Sequence, residues 1–298
     1  MSAPSNRGGS KTLSVNLSAA RKADPANPIL AAALGQALIS AGDPASAVEP
    51  LKDALSANPG DDSVRLALAQ SYQRLDQDGK VVDLLKPQSP QGSPSPLWLF
   101  TLAFSQFRLE QYQDAEAIFR QLVPLPSMTA AASFFVANCR FGQNDLQGSL
   151  SWYEAAISKG NTPRNMALNA YYYNYGLALF RLGRYAEAST AFLASTTRDP
   201  RDPLPPYFLG RSQAQRGEVQ DAISIFTQLI QKHPDFSPAY YQLGRLLSRT
   251  GDQVRSREMF AKVKQIKDAE LNEQQLLEGM ELGGQHNQDV PTTPDPRR

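Results

Sequence analysis

The chain has one cysteine, Cys139, and two histidines, His233 and His286, in 298 residues. A lone cysteine excludes an intrachain disulfide and a cysteine-built zinc cluster. Charge of one sign is also missing: 30 basic residues face 29 acidic ones, for a net charge of +1. Residues 1–27 carry +3, residues 268–298 carry −5 and the middle +3, too weak for general nucleic-acid binding, which needs clustered Lys and Arg. No run approaches the ~18 apolar residues of a membrane helix. Met1 to Lys11 lacks the apolar stretch of a secretory signal. The sequence reads as cytoplasmic, or as exported if a signal was removed before residue 1. There is no phosphate loop, metal-ligand spacing or nucleophile elbow, so no cofactor, metal or catalytic residue is expected. His233 precedes Pro234 at a helix end, where capping the last carbonyls is its expected role. Cys139 reads as a small core residue.

What is present is a pattern at fixed spacing. Tyr175-Gly176, Leu209-Gly210 and Leu243-Gly244 lie 34 residues apart. Each is followed by a turn glycine (Gly183, Gly217, Gly251), a small residue (Ala188, Ala222, Ser256) and a Phe (Phe192, Phe226, Phe260). Self-similarity at this period marks an array of helix pairs. Repeats begin at Pro28, Asp62, Pro96, near Thr129, and at Asn169, Pro203 and Ser237. The small residue after the Leu (Gly35, Ala69, Ala103 and the three glycines above) lets the paired helix approach. A second small residue twelve further on meets it, and the aromatic four beyond that fills the space between repeats. Pro59, Pro200 and Pro234 stop second helices, because proline donates no backbone hydrogen bond. The fourth copy is weak: Val136 stands where Gly or Ala belongs, with Gly148 and Trp152 at the later positions, so this pair should pack less closely.

The arrangement resembles the tetratricopeptide repeat over about residues 28 to 267. The resemblance implies an all-α, right-handed superhelical solenoid of about seven antiparallel helix pairs plus capping helices. The expected organisation is an arm with a partial-repeat helix (1–27), two repeats (28–95), five repeats (96–267), a capping helix (268–283) and a disordered tail (284–298). Leu13, Leu17 and Ala20 form the inner face of the first helix. Glu278 at a glycine place, with Leu276, Leu277 and Met280 on the last pair, suits a cap, and Gly283-Gly284 should end it. Pro87, Pro90, Pro94 and Pro96 crowd the end of a short second helix. That stretch is either a surface loop or a hinge.

In the family this chain resembles, positions 2, 5, 9, 12 and 13 of each repeat line a concave face. They place Phe100, Phe104, Phe107 and Arg108, then Ser133, Ala137, Arg140 and Phe141, on it. Tyr173, Phe180 and Arg181, then Tyr207 and Arg211, then Tyr241, Arg245 and Arg249 follow. Tyr172 and Tyr175 should face the core and Tyr173 the groove. Aromatic residues and Arg dominate binding hot spots, and Arg recognises carboxylates in two-point geometry. The expected partner is a protein or peptide segment with apolar and acidic residues. The aromatic stripe could equally pack on neighbouring helices. The carboxylate clamp known in the family needs Lys, Asn, Asn, Lys and Arg at set positions. Asn174 fits one of them, but Ser133, Ala137, Leu204 and Phe208 stand at the others. The leading function is a non-catalytic interaction scaffold. The alternative is a structural or self-associating subunit, and an enzyme has least support.

Overall fold

The computed structural model describes residues 7–86, 94–160 and 167–285, and all of its regular structure is helical. The chain divides into two compact units, Met1–Asn165 and Met166–Arg298. The first holds α1 (Arg7–Ala23) and four helix pairs: α2 (Pro28–Ala41) with α3 (Pro44–Ala57), α4 (Asp62–Arg74) with α5 (Asp78–Leu85), α6 (Pro96–Arg108) with α7 (Tyr112–Leu122), and α8 (Thr129–Gly142) with α9 (Leu146–Gly160). The second holds three: α10 (Leu168–Arg181) with α11 (Tyr185–Arg198), α12 (Leu204–Gln215) with α13 (Val219–Lys232), and α14 (Ser237–Arg249) with α15 (Gln253–Gln285).

Local chemistry sets the helix starts in the first unit. Asn27, Asp43, Asp61 and Ser95 each accept a hydrogen bond from a first-turn backbone N–H, satisfying donors that have no partner within the helix. Pro28, Pro44 and Pro96 occupy first-turn positions, where the missing N–H loses nothing.

The turn inside each pair fixes the repeat frame. One residue per pair has a positive φ: Gly42, Asp76, Glu110, Asn144, Gly183, Gly217 and Gly251. It is the fifteenth residue in six of the frames expected above, but Asn144 requires the fourth repeat to begin at Ala130. That moves the expected frame by one residue and corrects the reading of the fourth pair. Val136 takes the Leu place, Ala137 the small place, Ser149 the second small place and Tyr153 the aromatic place. All four are at most 1% exposed. The pair therefore packs as closely as the others.

The joint between the helices of a pair is a small residue against a large side chain. A Cβ added at Gly176 or Gly210 would lie 2.7 Å from the Phe192 ring or 2.8 Å from the Phe226 ring, closer than carbon atoms can approach. The second small residue also touches its expected partner, since the Ser256 hydroxyl donates to the Gly244 carbonyl at 2.9 Å. Phe119, Phe192 and Phe226 are fully buried. Each of the first two is also covered by the next repeat: Phe135 stacks on Phe119 at 4.9 Å and Phe208 on Phe192 at 5.5 Å.

The ends differ from expectation in two ways. On α1 the buried face is Ser14, with Leu17 and Ser18 half-buried, while Leu13 is 52% exposed. At the other end no separate capping helix forms. Asp268 stands where Pro59, Pro200 and Pro234 stop other second helices, so α15 continues unbroken through Gly283-Gly284 to Gln285. The expected contacts of Leu276, Leu277 and Met280, and the tail beyond Gln285, lie outside what is described.

The proline-rich stretch 87–93 also lies outside the described residues. The core is continuous on either side of it: Val81, Val82 and Leu85 of α5 share one buried cluster with Trp98 and Leu102 of α6.

Candidate functional site

The positions expected to line a binding face behave differently in the two units. In the first unit, Phe100, Phe104 and Phe107 of α6 are half-buried and converge on one ring. Phe135 of α8 meets them edge-on at 5.5, 5.4 and 5.7 Å. Their rings therefore close the joint between two repeats, with one edge left to solvent. Phe135 was not among the residues expected to line the binding face. Its role as the hub of this cluster depends on the one-residue frame shift.

The arginines of the first unit are held by the chain. Arg108 pairs with Asp76 at 2.6 Å and with the buried Asp78 at 3.2 Å, and it donates to the Gln73 carbonyl at 3.4 Å. Arg74 does the same one repeat earlier, donating to the Ile39 carbonyl at 2.8 Å. Each ties its helix to the C-terminal end of the preceding first helix, where carbonyls lack the regular helical donor four residues on. Arg140 pairs with Glu116 at 3.0 Å and Asp145 at 3.3 Å. Glu116 also accepts from Arg120 and Gln143. Ser133 and Ala137 are buried; in the corrected frame the inner positions of α8 are Phe134, Asn138 and Phe141. Asn138 accepts a 2.7 Å hydrogen bond from the Tyr153 hydroxyl.

In the second unit the same positions form a layered surface of rings and guanidinium groups. Arg211 of α12 lies over three rings, 4.9 Å from the Phe180 centroid, 5.1 Å from Phe208 and 5.6 Å from Tyr207. One turn of α14 repeats the motif, with Arg245 over Tyr241 at 5.9 Å. Tyr207 is braced by Phe208, Phe226 and Phe236, and Gln242 donates to its hydroxyl at 3.4 Å. Tyr241 is 47% exposed and rests edge-on against Phe260. Tyr173 packs on Phe192 and Phe208. Burial, with a smaller contribution from Asp202, pushes its hydroxyl up to about 12, so it is a neutral donor at neutral pH. Arg181 and Arg249 are exposed on the same helices. Tyr171, not Tyr172 or Tyr175, is the buried tyrosine of α10, the other two being half-buried. Tyr172 is capped by Arg198 at 4.4 Å.

Among the described residues, no carboxylate pairs with Arg211, Arg245 or Arg249. Carboxylates do pair with Arg184, Arg201, Arg216 and Arg255 of the same unit. A ring stack orients a guanidinium without neutralising it.

Cys139 is buried, and desolvation pushes its thiol up to about 12, the opposite of an activated nucleophile. His233 is the C-cap residue of α13, and its backbone N–H reaches the Leu229 carbonyl at 2.8 Å; that bond is made by the main chain and leaves the expected capping by the imidazole untested.

Models of the tetratricopeptide repeat match residues 28–71, 100–165, 170–202, 209–235 and 225–258. The chain belongs to the tetratricopeptide-repeat family. A comparison with curated protein sequences gave no match. Among solved structures, the C-terminal part of a TPR repeat-containing protein from Cytophaga hutchinsonii is 12% identical with a TM-score of 0.63, covering 78% of this chain and 93% of that one. The Cut9–Hcn1 hetero-tetramer of the APC/C is 14% identical with a TM-score of 0.59, covering 80% of this chain and 46% of that one. YrrB, described as a TPR protein with an unusual peptide-binding site, is 18% identical with a TM-score of 0.50, covering 58% and 87%. These likenesses are of fold. Family membership makes the chain a protein-interaction scaffold. The frame correction brings Asn138 to one position of the family's carboxylate clamp, but its cationic positions hold Phe134, Leu204 and Phe208.

Proposed function

We propose that the second unit binds an extended or helical peptide segment carrying acidic and apolar residues, and that it does so without catalysis. The observation that carries this reading is that Arg211, Arg245 and Arg249 have no carboxylate partner among the described residues, while Arg211 and Arg245 lie on rings. Arg211 is half-buried over three rings and Arg245 is exposed beside one. An incoming carboxylate gains a charge-assisted, two-point hydrogen bond there. Tyr207 and Tyr241 offer flat apolar area beside each arginine at little entropic cost. Tyr173, Phe180, Arg181 and Arg249 extend the same surface along α10 and α14. Family membership and the neighbouring peptide-binding fold make this a reasonable use of the scaffold. Phe100, Phe104, Phe107, Arg108 and Arg140 contribute to the first unit's own packing and are left out of the proposed contact set.

The test is a fluorescence-anisotropy titration with labelled peptides that combine Glu and Phe or Leu. Arg211→Glu with Arg245→Glu should weaken binding at least tenfold, and raising salt should weaken it further. An unchanged affinity in the double variant would sink the reading.

A second reading, self-association through the end of the array, is favoured by one observation. Phe260 is 38% exposed, whereas Phe119, Phe192 and Phe226 at the same place are fully buried. Light scattering on the wild type and on Phe260→Ser tests it. A monomer in both would rule it out.

A further inference from the structure

The last helix pair carries a charge that the rest of its unit does not. Residues 237–267 hold seven basic and two acidic side chains, against seven and six over residues 167–236. Part of this charge lies on one face of α15. Arg257, Phe260, Lys264, Lys267 and Leu271 follow one another at three- and four-residue spacing, so they form a single stripe about 21 Å long. All five are exposed, Phe260 by 38% and Leu271 by 54%. Asp268 is the acid on this stripe, and none of the three cations has an ion pair among the described residues. Arg255, which pairs with Asp252, points to another side of the helix.

The earlier pairs show what such a face is built to receive. Phe119 and Phe192 hold the place of Phe260, and each is stacked by a ring of the next first helix, Phe135 at 4.9 Å and Phe208 at 5.5 Å. The place of Lys264 is Thr196 in α11 and Ile230 in α13, both half-buried. In α15 the ring partner of Phe260 among the described residues is Tyr241 of its own pair, at 5.9 Å, and the flanking place is an exposed lysine. The seat for a first helix is kept, and its border is cationic. A second copy fits it poorly. A two-fold axis through the stripe would set Arg257, Lys264 and Lys267 against like charges.

We infer that this face takes an acidic, amphipathic helix of about four turns from a partner protein, seated as a following first helix is seated in the other pairs. An aromatic side chain of the partner would stack on Phe260, and carboxylates one turn to either side would meet Arg257, Lys264 and Lys267. Helix recognition of this kind reads one apolar stripe at one-turn spacing, and the charge sign selects among such helices. The site lies on α15 and stands whether or not the surface around Arg211 binds peptide.

The experiment uses the full chain and a labelled, acetylated fourteen-residue peptide with Phe at its centre, Leu one turn away and Glu beside them on the same face. The controls are a scrambled peptide of the same composition and a version with Lys for each Glu. Anisotropy should saturate with the Glu peptide. Lys264→Glu with Lys267→Glu, both exposed, should weaken it at least tenfold and should strengthen binding of the Lys peptide. Phe260→Ser should also weaken it at least tenfold, with helical circular dichroism of the protein unchanged. Arg211→Glu should leave it intact, so that failure at either site is seen separately. No saturable response to the Glu peptide would overturn the inference, as would equal binding of the scrambled or the Lys peptide. Light scattering that shows a dimer in the wild type and a monomer in Phe260→Ser would assign the face to a second copy and overturn it. Tighter binding of a single-stranded RNA, lost in the double lysine variant, would overturn it in favour of nucleic acid. Loss of the Glu peptide in Arg211→Glu alone would place the contact on α12 and end the proposal.

Discussion

The two units build the same helix pair and use their arginines in opposite ways. In the first, Arg74, Arg108 and Arg140 are bonded to carbonyls or carboxylates of the chain. In the second, Arg211 and Arg245 lie on rings with no carboxylate partner among the described residues. The difference follows from neighbours. Asp76 and Asp78 sit at the turn beneath Arg108, and Glu116 sits between Arg120 and Arg140. Beside Arg211 the neighbours are aromatic. Place in the repeat differs as well, since Arg74 and Arg108 hold the thirteenth place and Arg211 and Arg245 the ninth. An arginine near an acid stiffens the joint between repeats, and one among rings keeps its charge without a carboxylate partner among the described residues.

The largest expected effect tests what the units share. Phe119→Ala and Phe192→Ala each remove a fully buried ring that stacks on the next repeat. Each should destabilise its own unit by about 3–5 kcal/mol. Hydrogen exchange should show the loss in α6–α8 for the first variant and in α10–α12 for the second. A much smaller loss for Phe192→Ala would mean that the two joints are not equivalent.

The next prediction addresses the difference itself. Arg108→Ala leaves Asp78, whose side chain is 6% exposed, without its cation. Because Arg108 is itself one-third exposed, the loss should be about 1–3 kcal/mol, below that of a fully buried pair. Arg211→Ala removes ring contacts alone and should lose about 1 kcal/mol or less. It should instead weaken peptide binding, which Arg108→Ala should leave unchanged. Urea unfolding and peptide titration of both variants decide this. Equal stability losses would erase the distinction between the units.

What the sequence made legible follows the same line. The 34-residue spacing and the Gly-to-Phe joint were readable because each depends on side chains within one repeat. Glycine marked the turn wherever the chain used it. The fourth repeat was misplaced by one residue because Gly148 and Trp152 drew the frame to Thr129, although the 34-residue spacing counted on from Pro96 gives Ala130; its turn residue, Asn144, is not a glycine and so did not correct the frame. The same shift hid Phe135 as the ring on which Phe100, Phe104 and Phe107 converge. The absence of a stop between α15 and its extension was readable in principle, since Asp268 replaces the expected proline. The ion pairs of Arg108 and Arg140 were not, because they join residues 32 and 24 positions away.

A smaller effect of opposite sign concerns the turns. The second unit has glycine at every positive-φ turn, while the first uses Asp76, Glu110 and Asn144 at three of its four. A side chain in that conformation costs about 1–2 kcal/mol, partly offset by the greater entropy glycine loses on folding. Glu110→Gly should therefore stabilise the first unit by about 0.5–1 kcal/mol. Gly217→Ala in the second unit should destabilise it by a similar amount. A shift of the urea midpoint downward for Glu110→Gly would show that the Glu side chain contributes more than its backbone strain removes.

The smallest effect is invisible at neutral pH and separates a buried tyrosine of each unit. Tyr153 of the first unit is enclosed, and burial raises its hydroxyl well beyond the ordinary range for tyrosine. Tyr173 of the second is half-buried and is raised from 10.0 to about 12. The folded state holds its proton more tightly than the unfolded state does. The stability this contributes is fully present below pH 10 and is lost as pH rises from 10 to about 12. The difference in 295 nm absorbance between wild type and Tyr173→Phe should titrate near 12 rather than near 10. A bound peptide that covers Tyr173 should move that midpoint higher. A midpoint near 10 without peptide would mean that the ring is solvated and that the surface around Arg211 is looser than its ring contacts indicate.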